Sequence, residues 1–143
     1  MLQYEELRLR LINHEKTLDD LSEALGLDKM KEEIAQLEKE QTVDGFWDDI
    51  ANSQKVVQRT SNLKSKVAAY EKLRQDYDDA LVMIELSNEE EDEGMLDECT
   101  ESVEKFESDL DTMTLTTLLS GEYDANNAIL TFHAGAGGTE AQD

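Results

Sequence analysis

The chain of 143 residues contains no proline, one cysteine, two histidines and seven glycines. Each scarcity excludes something. Average usage of about 5% would supply roughly seven prolines. A proline-free chain is poorly suited to a β-sandwich or barrel, whose short strands need frequent turn residues. The single cysteine, Cys99, can close no internal disulfide, which fits a reducing, cytoplasmic compartment. Two histidines and one cysteine cannot assemble a zinc site within the chain. No apolar run approaches the roughly 18 residues that a membrane span needs. The acidic, polar opening Met1-Leu2-Gln3-Tyr4-Glu5-Glu6 reads as no signal peptide. Bases are scarce as well: 13 Lys and Arg face 35 Asp and Glu, a formal net charge of -22. That balance argues against direct nucleic-acid binding, which needs cations to neutralise phosphate. Length alone suggests one domain.

The charge is concentrated. Residues 1–40 carry a net -5, 41–80 carry -1, 81–120 carry -12 and 121–143 carry -4. After Arg74 the only base is Lys105. Three readings are open. The acids are a solvated helix face, or a surface for a basic partner. Alternatively, Lys55, Arg59, Lys64, Lys66, Lys72 and Arg74 lie opposite the acids of 89–111 across an antiparallel helix pair. Surplus negatives remain in every case.

What is present is helical periodicity. Tyr4, Leu7, Leu11, His14, Leu18, Leu21 and Leu25 alternate spacings of three and four, which is a heptad seam on one helix ending at Gly26. His14 reads as a tolerated seam residue. Asp28 is the expected cap of a second helix with Met30, Ile34 and Leu37 as its stripe. Residues 42–49 form a turn, with Gly45 for backbone freedom and Asp48 as candidate N-cap. The adjacent Phe46 and Trp47 serve there either as a packing anchor or as an exposed binding hot spot. A third, long helix from about 48 to 86 carries Val56, Thr60, Leu63, Val67, Tyr70, Arg74, Tyr77, Leu81 and Ile84, with Leu73 beside the seam. Ser87 and Glu90 have capping-box spacing. Glu89, Glu90, Glu91, Asp92 and Glu93 would then sit in the first turn of a fourth helix, unless it starts after Gly94. Its seam is Met95, Cys99, Val103, Phe106, Leu110 and Met113, fading before Ser120-Gly121. Cys99 on that stripe reads as a buried structural thiol.

The expected fold of residues 1–120 is therefore all-α: an antiparallel, coiled-coil-like bundle of two short-to-medium and two long helices. After it the period changes. Ala128 to His133 reads as a strand, Gly135, Gly137 and Gly138 as a strand-to-helix turn, and Thr139 to Gln142 as a capping box. Residues 121–143 read as the truncated beginning of a second, α/β domain. The glycines match neither a P-loop nor G-x-G-x-x-G, and the acidic run lacks the alternating ligands of a calcium loop. No catalytic, metal or cofactor constellation is visible. The residues alone describe an acidic interaction module and no enzyme.

Ser120-Gly121-Glu122-Tyr123-Asp124, the segment Ala128–His133, and Ala134-Gly135-Ala136-Gly137-Gly138-Thr139-Glu140-Ala141-Gln142-Asp143 together resemble the first-to-second domain junction of bacterial class I peptide chain release factors. The resemblance favours release factor 2, the branch that reads UGA and UAA. The turn Gly45-Phe46-Trp47-Asp48 sits where that family has an aromatic turn, and the helical layout of 1–120 is similar to its N-terminal domain. The resemblance implies stop-codon-directed release of nascent peptide in the cytoplasm. It implies two partners: the ribosome, at the large-subunit stalk base, and a class II release factor GTPase. It implies no membrane and no cofactor. The family reads the codon with Ser-Pro-Phe and triggers hydrolysis with Gly-Gly-Gln. This chain has no proline, and Gly137-Gly138 is followed by Thr139, so neither motif is carried. The candidate partner-binding residues are Glu89 to Glu93 with Phe46 and Trp47. Gly135, Gly137, Gly138, Thr139 and Glu140 form a structural junction. An acidic coiled-coil adaptor unrelated to translation is the alternative.

Overall fold

The heptad row from Tyr4 to Leu25 is buried apart from half-buried His14, but on two helices rather than one. A computed structural model describes residues 1–120. Helix α1 runs Leu2–Ile12 and α2 runs Glu15–Leu25. Between them the His14 amide bonds to the Leu11 carbonyl at 3.0 Å, three residues back instead of four. Asn13 and His14 are modest helix formers, and this tighter turn is what they allow. Both keep right-handed dihedrals, so Tyr4, Leu7 and Leu11 stay in line with Leu18, Leu21 and Leu25, all buried.

Gly26 ends α2 in the left-handed region, φ +66°, as a C-terminal glycine should. It is also the first residue outside α3, Leu27–Glu40, which starts without a side-chain cap. Asp28 is not the cap. It lies one residue inside the first turn, where the helix dipole still favours its charge. A short 3₁₀ turn, Phe46–Asp48, leads to α4, Ile50–Glu89. The cap of α4 is Asp49, not Asp48: its Oδ1 accepts from the Asn52 amide at 3.1 Å. At 40 residues, α4 is about 60 Å long.

Ser87 does not begin a new helix. It is buried within α4, 3.8 Å from Cys99 Sγ. The chain reverses after it, with Glu91 at φ +52° and the Asp92 carboxylate accepting from the Gly94 amide at 2.9 Å. A 3₁₀ turn, Glu93–Met95, opens α5, Leu96–Ser120. The capping-box signal loses because Ser87 gains more by continuing the buried row of α4.

The helices form an antiparallel bundle. As the chain climbs α1 to α3, its partners on α4 descend. The N-terminal ammonium donates to Asn88 Oδ1 at 2.5 Å, Tyr70 Oη donates to the Leu18 carbonyl at 2.8 Å, and Gln41 Nε2 donates to Thr60 Oγ1 at 3.1 Å. Helix α5 returns along the C-terminal half of α4. One cluster of buried side chains, from Tyr4 to Leu110, runs through all five helices. Phe106 sits in it, edge-on to Tyr77 with centroids 5.6 Å apart. On α4 the buried row steps through Leu73 and Ala80 rather than Arg74 and Leu81. Toward the end of α5 the buried residues are Thr114 and Thr117, and Met113 is only partly covered.

Candidate protein-docking surfaces

The acids of the α4–α5 link are all exposed. Glu89 is the last residue of α4, and Glu90 to Asp92 make the reversal. They stand at the C-terminal end of a helix, where the dipole disfavours negative charge, not in a first turn. Asp97 and Glu98 occupy the first turn of α5 instead. Among the described residues, Glu89, Glu90, Glu91 and Glu93 have no basic partner within salt-bridge reach. Four of the six bases of α4 are engaged elsewhere. Arg59 pairs with Glu33 at 2.9 Å, Lys64 with Glu38, Arg74 with Asp19 at 2.9 Å, and Lys72 with Asp76 on its own helix at 2.9 Å. The expected pairing of these four with the acids of 89–111 is therefore corrected. The partners of these four come from α2, α3 and α4 itself, although the end of α5 also lies beside Lys66 and Ala69.

One acid of α5 is held firmly. Glu107 receives Arg10 Nε at 2.9 Å and Arg10 Nη2 at 2.5 Å, and its other contact is His14 Nε2 at 2.7 Å. Burial alone would raise its carboxyl. The hydrogen bonds from His14 and Arg10 outweigh that and hold it at about 2. His14 thus has a role beyond filling the seam. Its ring lies 6.0 Å from that of Phe106 and its nitrogen ties the α1–α2 break to α5. Cys99 is fully buried, and burial pushes its thiol up, away from reactivity.

The two aromatics of the α3–α4 turn part company. Phe46 is buried, whereas Trp47 is 59% exposed. Their rings meet edge to face at 4.8 Å, and Trp47 Nε1 donates to the Gln41 carbonyl at 3.2 Å. Val43 and Ile50 nearby are also more than half exposed. Sequence reasoning did not single these two out, because an isolated apolar residue beside a turn carries no period. It also missed an apolar groove of about 320 Å³ beside the end of α5, lined by Leu25, Ala69, Met113 and Thr116 among others. The fading seam over 114–119 was its one sign.

Among the described residues no three His, Cys, Asp or Glu side chains are placed to hold a metal. No described helix is long and apolar enough to cross a membrane. The expected strand at 128–133 and the junction residues Gly135, Gly137, Gly138, Thr139 and Glu140 lie outside the described residues.

A family model described as the PCRF domain matches residues 30–143. The chain belongs to the PCRF domain family. Its relatives include proteins named peptide chain release factor 2, as the junction residues led one to expect. That of an Exiguobacterium species is 39% identical over 142 residues, covering 99% of this chain and 39% of that protein. The Lactiplantibacillus plantarum protein is 41% identical over 129 residues, 90% of this chain and 34% of that protein. The Petrotoga mobilis protein is 34% identical over 143 residues, 100% of this chain and 38% of that protein. This PCRF-family chain spans about two fifths of the length of the curated relatives it matches. No solved structure matches it.

Proposed function

We propose that the chain serves translation termination in the cytoplasm, as the helical docking module of a class I factor that directs peptide release at UGA and UAA. Residues 1–120 are that module, and 121–143 begin a second domain. The module holds the factor to protein surfaces at the large-subunit stalk base and meets the class II release factor GTPase. Codon reading and the triggering of peptidyl-tRNA hydrolysis belong to other parts of such a factor, so the module is not itself catalytic. The observation that carries this reading is the exposed α4–α5 link, whose glutamates have no basic partner among the described residues. In an assembly dominated by phosphate, such a link avoids RNA and suits a basic protein surface.

The test is a chimaera. This chain replaces the matching 142 residues of the Exiguobacterium relative, and peptide release is measured on ribosomes stalled at UGA, UAA or UAG. Release at UGA and UAA, with none from the chain alone, supports the reading. Replacing Glu89, Glu90, Glu91 and Glu93 by glutamine should then weaken the response to the GTPase at low salt. A chimaera inactive at every stop codon, although folded, would sink the proposal.

A further inference from the structure

We propose that the α3–α4 turn is a second docking site, one that seats Trp47 in an apolar pocket with a basic rim on a ribosomal protein. This rests on the reading of the chain as a ribosome-docking module and assigns it a further site of different chemistry.

Within eight residues the turn exposes three large apolar side chains: Val43 at 60%, Trp47 at 59% and Ile50 at 66%. Single exposed apolar residues are ordinary, but a group including the sole tryptophan is not. The turn that carries them is fixed. Phe46 is buried beneath it, and its amide bonds to the Val43 carbonyl at 3.1 Å. Gly45 takes φ +85°, and its carbonyl accepts from the Asp48 amide at 3.1 Å. Thr42 Oγ1 donates to the Lys39 carbonyl at 2.7 Å. The indole is held by the Gln41 carbonyl and by the edge of Phe46. A large side chain already fixed in place loses little entropy on docking. Tryptophan is also among the residues that most often dominate interface energy.

Charge selects the partner. Asp44 and Asp48 beside the indole are exposed, and neither has a basic partner among the described residues. Together with Asp49 they make an acidic rim, which repels phosphate and matches lysine or arginine around a pocket. The turn stands at the N-terminal end of α4 and the acidic link at its C-terminal end. About 60 Å of helix separates them, so both sites can be filled together.

Because Trp47 is the only tryptophan, a fluorinated tryptophan gives the chain one fluorine resonance. The labelled chain is mixed with purified ribosomes, with their large subunits and with protein-free ribosomal RNA, and binding is followed in parallel by co-sedimentation. The proposal expects the resonance to shift and broaden with ribosomes and large subunits and to stay unchanged with RNA. Trp47→Ala should weaken co-sedimentation about tenfold or more, equally at low and high salt. Val43→Ser with Ile50→Ser should weaken it without touching the indole hydrogen bond. Circular dichroism melts confirm that each variant folds. A chain that co-sediments and whose variants bind like the parent overturns this site and leaves the docking reading standing. A chain that does not co-sediment overturns both. Broadening by protein-free RNA overturns the protein partner.

Discussion

The carboxylate of Glu107 on α5 takes two hydrogen bonds from the Arg10 guanidinium on α1, at 2.9 and 2.5 Å. The bond is fork to fork, with 22% of the glutamate side chain and 43% of the arginine side chain exposed. It joins the start of the chain to its last described helix. Such geometry makes a charge pair count, whereas the exposed pairs along α3 and α4 contribute little.

Stability should report this pair through pH. The Glu107 carboxyl is depressed in the folded state, from 4.5 to about 2. Its contribution is therefore complete above about pH 4.5 and is lost as pH falls toward 2. Linkage alone would make that about 3 kcal/mol, and solvent screening around the part-exposed pair reduces it to the order of 2 kcal/mol. Urea unfolding of the parent and of Glu107→Gln, compared from neutral pH to pH 2, should show a gap that closes in that window. A constant gap would mean that the carboxylate charge is not what matters.

Phe106→Ala should cost about 3–5 kcal/mol. The ring is 1% exposed and touches both Tyr77 and His14. Removing it opens a cavity where three helices meet. Calorimetry should register a large drop in Tm, and a loss below about 1 kcal/mol would show that the bundle can collapse into the space.

Thr114→Val should stabilise the chain. Thr114 is 1% exposed and its hydroxyl has no hydrogen-bond partner among the described residues. A buried hydroxyl left in that state costs roughly 1–3 kcal/mol in protein mutational data. Valine keeps the shape and removes the cost, so Tm should rise. A fall would reveal a partner for the hydroxyl in solution.

Gly26→Ala should cost about 1 kcal/mol. The backbone there has φ +66°, yet nothing lies within 4 Å of where a methyl would stand. The penalty is purely conformational, so Gly26→Asn should cost less than Gly26→Ala. Equal melting of all three proteins would contradict it.

The seams were legible because heptad spacing survives small local defects. Leu11 and Leu18 remain in line through the Asn13–His14 break, since neither residue leaves right-handed space. For the same reason the break itself was invisible: periodicity cannot report a fault that preserves phase. The choice of Arg74 and Leu81 over Leu73 and Ala80 failed for a geometric reason. Where α1, α2 and α5 all pack on α4, neighbouring rows compete, and spacing alone does not say which faces inward. The acidic link was readable as composition. Its place was not, because the Ser87–Glu90 capping box is a local signal and the burial of Ser87 against Cys99 is a tertiary fact. Phe46 and Trp47 could not be separated from sequence, since a 3₁₀ turn of three residues decides which ring goes under.

Helix α4 reaches from the Trp47 turn to the acidic link without a proline or glycine in its 40 residues. It is thus a ruler with an angular scale. One inserted residue would turn one end against the other by about 100° while lengthening the span by only about 1.5 Å. Seven inserted residues would nearly restore the angle and add about 10 Å. Among chains built on this plan, changes in the length of α4 should therefore come in whole heptads.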